Sequence, residues 1–177
     1  DMGRIDAEKM YNNIKKWKWR NINDGKIYLD EQNKRNAISM RNSLMRLSEA
    51  FAKEGDTIKA LEVLDLSLEK LPIKDFGHYS LSLGYPEMYY KLGNIEKARE
   101  NVTVLISLFK EKVVWLSTYN ENDFYLISDE IETTLYMLQN VIAQVEEFDG
   151  DKDYVKTLKD NFMDSVRLFN HLLPDEE

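Results

Sequence analysis

Apolar residues recur at helical spacing along nearly the whole chain. One stripe, for example, runs through Leu61, Leu64 and Leu68 to Leu71, where Pro72 stops a helix. The pattern predicts a short N-terminal helix followed by six further helices. Their expected bounds are Ile5–Trp19, Asn33–Glu54, Thr57–Leu71, Ser80–Leu92, Ile95–Val114, Asp123–Phe148 and Lys152–Leu173.

Polar or turn-forming segments separate these helices. They are a loop over Asn21–Asp30 with the turn signal Asn23-Asp24-Gly25, a connector over Ile73–Tyr79, a break over Ser117–Asn122 and a turn at Asp149-Gly150-Asp151. Pro86 falls inside the predicted helix Ser80–Leu92, so that helix is either kinked or begins near Pro86.

The pattern also contains an internal repeat. Residues 50–60 are echoed by residues 88–98, and Gly93 lies 38 positions after Gly55. In each copy glycine can supply the left-handed conformation that ends a helix. The following Asp56 or Asn94 can cap the next helix, and a small residue, Ala60 or Ala98, lets two helices approach closely. Repetition of helical hairpins is typical of binding proteins rather than enzymes.

We therefore predict an all-α helical-repeat protein whose hairpins are closed by a longer C-terminal capping hairpin. Residues 1–177 are expected to be one helical-repeat domain. Its expected parts are an N-terminal helix and loop (1–32), a first hairpin (33–72), a second hairpin (73–118) and the capping hairpin (119–177). Because Met is the second residue, we expect the chain to be an excised piece of something larger.

Composition narrows the possible functions. Hydrophobic residues make up 43% and charged residues 32%, which fits a folded domain. The absence of cysteine excludes disulfides, thiolate catalysis and cysteine-ligated metals. A net charge of −8 argues against general nucleic-acid binding but leaves a local basic patch open. No apolar run is long enough to span a membrane, and the first residues do not form a signal peptide.

The repeat resembles the tetratricopeptide family, and the resemblance implies tetratricopeptide-like helical hairpins that form a short right-handed superhelix. The first copy matches at Leu47, Ser48, Phe51, Gly55-Asp56, Ala60, Leu64, Ser67 and Pro72, where Ser67 replaces the usual small apolar residue. The second copy matches at Tyr85, Tyr89, Gly93-Asn94, Ala98, Val102 and Leu105. It departs from the pattern at Pro86 and lacks the terminal proline. The last hairpin, around Gly150, is degenerate and resembles a capping pair.

A narrower resemblance covers most of the chain. It is carried by Gly3-Arg4-Ile5-Asp6, Met10-Tyr11, Trp19, Tyr28-Leu29-Asp30-Glu31, the segment 41–47, the segment 62–66, Gly77-His78-Tyr79 and the segment 85–93. These residues resemble the soluble C-terminal region of a Bacteroidetes family of multi-spanning membrane proteins. That family was catalogued as of unknown function and is similar to protein O-mannosyltransferases.

The resemblance implies a parent protein that is a lipid-sugar-dependent glycosyltransferase with its catalytic residues in the membrane part. This chain would then be a non-catalytic interaction module without cofactors, on the extracytoplasmic (periplasmic) side and attached to the inner membrane through the parent protein. Its partner would be an acceptor protein or peptide, or the membrane part of the parent chain, and not a nucleic acid.

The inner face of the first helix of each hairpin is the usual ligand groove in tetratricopeptide repeats. The residues expected there are Asn42, Met45, Glu49, Lys53, Leu83, Glu87, Tyr90 and Lys91. Met45 and Glu49 occupy positions where a peptide-carboxylate clamp needs other residues, so that clamp is not supported. A polar peptide or a neighbouring domain suits this mixture of charges. The alternative is an ordinary solvated polar face.

One segment is both basic and aromatic in an otherwise acidic chain. It comprises Lys15, Lys16, Trp17, Lys18, Trp19 and Arg20. Tryptophan favours the membrane interface and cations favour anionic headgroups, so the segment is a candidate for proximity to a membrane surface. A platform for stacking nucleic-acid bases is a weaker variant. The alternative is that both tryptophans pack on the first hairpin while the cations are solvated.

Other candidates have simpler explanations. Asp149-Gly150-Asp151-Lys152-Asp153 resembles part of a calcium loop, but Tyr154 stands where that loop needs glycine, and helix capping explains the same residues. Asp75-Phe76-Gly77 matches a kinase tripeptide without the accompanying motifs. His78 and His171 have no recognisable nucleophile, so we predict no catalytic residue and no metal site. A sugar-stacking surface, with Tyr90 and Tyr119 first to test, is an alternative to core packing for the aromatic residues.

Three functions remain after this reasoning. The first is the interaction module of a membrane glycosyltransferase. The second is a free-standing tetratricopeptide adaptor in the cytoplasm, without a link to glycosyl transfer. The third is an enzyme with a site assembled across helices, which a deep pocket holding His78 and converging carboxylates would support.

Overall fold

Helices form the regular structure of this protein, and the computed structural model describes residues 5–19, 28–76 and 79–172. The helices within those ranges are α1 (Ala7–Ile14), α2 (Glu31–Glu54), α3 (Thr57–Lys70), α4 (Ile73–Phe76), α5 (Gly84–Lys91), α6 (Ile95–Leu116), α7 (Phe124–Phe148) and α8 (Lys152–Arg167). Three 3₁₀ turns lie at Tyr79–Ser82, Glu121–Asp123 and Asn170–Leu172. No strand occurs in the described ranges, so the all-α prediction is confirmed. None of these helices combines the length and the apolar character that crossing a bilayer requires.

The chain divides into two compact units, Asp1–Asn94 and Ile95–Glu177. The boundary falls inside the segment 73–118 that the sequence predicts as the second hairpin. Unit 1 contains α1 to α5, and unit 2 contains α6 to α8. The single repeat domain stays a prediction.

The two repeat glycines end their helices in the same way. Gly55 has φ 82° and Gly93 has φ 77°, both in the left-handed region. The Gly55 amide donates to the Ala52 carbonyl, and the next amide donates to the Phe51 carbonyl. Residues 93 and 94 repeat this pattern with carbonyls 90 and 89. Both turns are therefore Schellman motifs, which satisfy the carbonyls left unpaired at a helix end.

Helices α2 and α3 pack closely in unit 1. Ser48 on α2 and Ala60 on α3 are both completely buried, and the Ser48 hydroxyl donates to the Ala60 carbonyl at 2.9 Å. Phe51 lies in the core beside them, and the Tyr11 ring of α1 meets its ring edge-on at a centroid distance of 5.3 Å. The small residues predicted from the repeat thus permit the close helix contact, and α1 covers the hairpin.

Pro86 does not kink a helix, because α5 begins at Gly84 rather than at Ser80. Pro86 lies in the first turn, where its missing N–H would have no partner within the helix. Residues 79–82 form a 3₁₀ turn instead. The connector Ile73–Tyr79 is also more ordered than expected, since residues 73–76 form the single-turn helix α4.

The ends of the chain differ from the predicted bounds as well. Helix α1 ends at Ile14 rather than Trp19, and α8 ends at Arg167 rather than Leu173. Apolar spacing alone extended both helices too far. The predicted turn at residues 149–151 is confirmed between α7 and α8. The Asn23-Asp24-Gly25 turn signal and the acidic tail 174–177 lie outside the described residues.

We predict that Gly55→Ala lowers the free energy of unfolding by about 1–2 kcal/mol, because a β-carbon disfavours the left-handed conformation. Nothing lies within 4 Å of the added atom, so the loss measures backbone strain alone. Gly84→Ala is the matched control. Its added atom would make an ordinary 3.7 Å contact with the Met45 side chain, and its φ is not positive. Urea denaturation of both variants checks this, and equal stabilities would contradict it.

Candidate functional site

A groove lies between α2 and α5 in unit 1, with a volume of ≈ 480 Å³. We call it the α2–α5 groove. The residues that line it are Glu49, Ala52, Lys53, Thr57, Gly84, Glu87, Met88, Lys91 and Leu92. Four of the eight residues predicted for the ligand groove are therefore brought together here, namely Glu49, Lys53, Glu87 and Lys91.

These four charged residues repeat with the period of the chain. Glu87 lies 38 positions after Glu49, and Lys91 lies 38 positions after Lys53, the same offset that relates the two glycine turns. Each Glu and Lys pair is four residues apart, so it lies on one face of its helix. On α5 the Lys91 ammonium forms an ion pair with the Glu87 carboxylate. Both walls of the groove thus carry one negative and one positive charge at equivalent positions.

The other lining residues are apolar or small and were not predicted. Met88 is buried, Ala52 and Leu92 are half-buried, and Gly84 is exposed. The β-carbon that Gly84 lacks would lie 3.7 Å from the Met45 side chain, so the absent side chain leaves space beside Met45. The repeat offset maps Glu49 and Lys53 onto Glu87 and Lys91 and so indicates α5 as the second wall, but no sequence signal indicates that residue 84 must lack a side chain.

The remaining predicted groove residues lie elsewhere in unit 1. Asn42 is exposed on α2, Met45 is half-buried there, and Leu83 is half-buried just before α5. Tyr90 is buried, with 7% of its surface exposed, so its ring offers little area for stacking. Tyr119 is half-buried in unit 2, where the Trp115 ring meets it edge-on at 5.4 Å.

Two tyrosine hydroxyls fix α5 against α3 behind the groove. Tyr85 and Ser67 share a buried hydrogen bond of 2.6 Å. The Tyr89 hydroxyl donates to the Asp65 carboxylate at 2.7 Å. Ser67, the departure from the tetratricopeptide pattern, is therefore explained by its partner Tyr85. Because these bonds join two helices, they hold one groove wall in place.

A buried cation lies close to this pair of hydroxyls. Arg41 on α2 has only 2% of its surface exposed. Burial lowers the pKa of the Arg41 guanidinium, and the neighbouring Tyr85 opposes that shift. Burial likewise raises the pKa of the Tyr85 hydroxyl. Helices α2, α3 and α5 thus each place a polar side chain in the interior of unit 1: Arg41, Ser67 and Tyr85.

The basic-aromatic segment is only partly packed. Trp19 is half-buried against the core of unit 1, whereas Trp17 is 40% exposed. Lys16 and Lys18 are exposed, and the Lys15 ammonium lies 4.1 Å from the centroid of the Tyr11 ring. Arg20 lies outside the described residues. The two tryptophans therefore have different environments: Trp19 packs as the packing interpretation expects, Trp17 does not, and proximity to a membrane surface stays a prediction.

The acidic turn between α7 and α8 binds an arginine of its own chain. The Arg99 Nε donates to Asp149 at 2.7 Å, and its Nη2 donates to Asp149 at 2.6 Å and to Asp151 at 3.1 Å. The guanidinium also lies 4.5 Å from the centre of the Tyr154 ring. Asp151 caps α8 by accepting from the amides of Asp153 and Tyr154. Capping and ion pairing thus account for the residues that resemble a calcium loop.

Electrostatics in this corner follow from those bonds. Hydrogen bonding to Asp149 raises the pKa of the Arg99 guanidinium above its ordinary value. The backbone amide of Tyr154 lowers the pKa of Asp151, and Arg99 lowers it further. Burial raises the pKa of the Tyr154 hydroxyl.

The histidines do not form a common site in the described structure. His171 lies in unit 2 with its Nε2 3.2 Å from the Tyr119 carbonyl, and His78 lies outside the described residues together with Gly77 of the kinase-like tripeptide. Across residues 5–19, 28–76 and 79–172, no three His, Asp or Glu side chains are grouped so as to hold a metal ion.

Comparison with known proteins returned no relative. The chain matches no protein-family model, no curated protein and no solved structure. A fold class alone does not determine function, since one fold can serve many functions. What this chain does must therefore follow from its own surfaces, and the α2–α5 groove is the surface to which both copies of the repeat contribute.

We predict that Arg99→Met lowers the free energy of unfolding by about 2–3 kcal/mol, because it removes the cation that pairs with the buried Asp149 carboxylate. The Asp149 side chain is 2% exposed, whereas Arg99 is 35% exposed, which keeps the loss below that of a fully buried pair. Arg99→Lys should fall in between, since lysine keeps the charge but not the two-pronged geometry.

Arg167→Met provides the control, because Arg167 pairs with Asp164 where both side chains are about two-thirds exposed, at 68% and 69%. Its loss should stay below about 1 kcal/mol. Urea denaturation measures the stability of all three variants. A similar loss for Arg99→Met and Arg167→Met would contradict the stabilising role of the ion pair between Arg99 and Asp149.

Proposed function

We propose that this chain is a non-catalytic interaction module of tetratricopeptide type, and that its α2–α5 groove binds an extended, polar segment of a protein. The observation that carries the proposal is the repetition of Glu49 and Lys53 as Glu87 and Lys91 on the two walls of one groove. Charges of both signs at repeating positions suit a peptide that carries both signs itself.

The groove supplies two kinds of interaction to such a ligand. Ala52, Met88 and Leu92 provide apolar surface, and burying an apolar side chain there would contribute about 1.5–3 kcal/mol. The exposed charges contribute less than about 1 kcal/mol each and act mainly on specificity and register. Because two helices supply most of the contact area, we expect affinities of about micromolar or weaker.

The proposal extends to the architecture. We propose that the hairpins belong to a short right-handed superhelix of tetratricopeptide type, with the last two long helices as its capping pair. The two Schellman turns and the close contact between Ser48 and Ala60 support this, because they are what the family's glycine and small residues would produce.

We further propose that the module belongs to a larger membrane protein, a lipid-sugar-dependent glycosyltransferase, and positions an acceptor protein or partner subunit on the extracytoplasmic side. The resemblance of the segments around Trp19, residues 41–47 and residues 85–93 to the C-terminal region of that family supports this role. No reaction is assigned to this chain.

The groove is tested by filling it. We predict that Gly84→Leu weakens the binding of groove ligands by at least about tenfold, because the new side chain occupies the space beside Met45. Peptides selected from a random library against the wild-type chain serve as probes. Since the chain has no cysteine, Thr57→Cys on the groove rim can carry a single environment-sensitive dye that reports their binding.

Gly150→Leu is the matched control, since nothing lies within 4 Å of a side chain added there. Peptides that bind the groove should bind this variant as they bind the wild type. Equal affinity for all three proteins, or no peptide enriched by the wild type over Gly84→Leu, would contradict the groove as the binding site.

The parent protein is tested by its gene. We predict that the reading frame continues upstream of residue 1 into several apolar segments, each of about 20 residues, long enough to span a bilayer. Sequencing the complete reading frame provides the measurement. A reading frame without such segments would overturn the membrane assignment and favour the free-standing adaptor, while leaving the groove proposal intact.

A further inference from the structure

The basic-aromatic segment presents a tryptophan to solvent, although most of the aromatic residues near it are buried. Trp17 is 40% exposed and lies outside α1, while Trp19 packs on the core of unit 1. The two rings meet at an angle of 61° with their centroids 5.6 Å apart. Trp19 thus attaches the segment to the core of unit 1, and its ring contacts the exposed ring of Trp17.

The exposed ring borders a depression on α1 with both apolar and charged lining. Its volume is ≈ 650 Å³, and it is lined by Ile5, Met10 and Trp17 together with Lys9, Lys16, Asn13 and Asp6. Lys18, the residue after Trp17, is exposed as well. Apolar surface surrounded by cations is the combination that favours an interface between hydrocarbon and anionic headgroups.

Nearby carboxylates do not cancel these cations fully, because the two carboxylates of residues 5–19, Asp6 and Glu8, are outnumbered by four lysines. Asp6 accepts a hydrogen bond of 3.0 Å from the Lys9 amide and caps α1. Glu8 forms an ion pair with Lys59 of α3. The lysine side chains at positions 16 and 18 remain exposed to solvent.

We propose that this face docks on a bilayer surface containing anionic lipids, with Trp17 inserted at the headgroup level and Lys16 and Lys18 against the headgroups. Because the chain has a net charge of −8, an anionic surface repels most of it. The lysines around Trp17 therefore orient the protein as it approaches the bilayer. A long nucleic acid would expose more of its phosphates to the acidic surface, whereas a bilayer meets one face of the protein. The inference uses residues distinct from the α2–α5 groove and stands independently of it.

The test measures sedimentation of the chain with phosphatidylcholine vesicles prepared with and without phosphatidylglycerol. Binding is expected only with phosphatidylglycerol and should weaken at high salt, because screening shortens the range of the attraction. Lys16→Glu/Lys18→Glu should weaken it at least about 25-fold, from about fivefold for each lysine lost. Trp17→Ala should weaken it on the order of tenfold.

Matched controls separate docking from general adsorption. Lys152→Glu/Lys156→Glu changes the charge equally at two exposed lysines of α8, and Tyr125→Ala removes an aromatic side chain that is 76% exposed. Both controls should bind as the wild type does. Circular dichroism verifies that each variant is folded, and Trp17→Ala provides a test that leaves every charge in place.

Several results would overturn the proposal. They are the absence of binding to phosphatidylglycerol vesicles, an equal loss of binding in Lys16→Glu/Lys18→Glu and in the control Lys152→Glu/Lys156→Glu, and unchanged binding of Trp17→Ala. Tighter binding to single-stranded oligothymidylate than to the vesicles would overturn it as well, in favour of base stacking on the tryptophan.

Discussion

The close approach of α2 and α3 is the constraint on which the rest of unit 1 depends. Ser48 and Ala60 are completely buried, and the Ser48 hydroxyl donates to the Ala60 carbonyl. The left-handed turn at Gly55 makes this approach possible, because it reverses the chain within two residues of α2. With the hairpin fixed, Phe51 becomes the surface against which α1 packs.

The placement of α5 follows from the same hairpin. Its two tyrosines reach polar partners on α3, so α5 is positioned by directional bonds and not by apolar contact alone. The groove forms because α5 is held there, and Gly84 leaves space in it beside Met45. Rigid walls reduce the entropy lost when a flexible ligand binds, which suits a surface with few charged contacts.

Local features of the structure could be predicted from the sequence, and long-range ones could not. The two glycine turns and the start of α3 depend on neighbouring residues, so spacing alone identified them. The partnership of Arg99 with Asp149 joins residues 50 positions apart, and no local pattern indicates it. The ends of α1 and α8 were misjudged because apolar spacing continues past the last helical turn. For the groove, periodicity indicated the charged residues on its two walls. Its apolar lining, which includes Met88 and Leu92, depends on how α5 packs against its neighbours.

The hydrogen bond between Ser67 and Tyr85 constrains how this chain can evolve. Losing either hydroxyl alone leaves the other buried without its partner, at a cost of about 1–3 kcal/mol. Exchanging both together, for alanine and phenylalanine, removes the polar pair and can be nearly neutral. Substitutions at these two positions are therefore coupled. We expect Ser67 and Tyr85 to covary among homologues, because their bond links α3 of the first hairpin to α5.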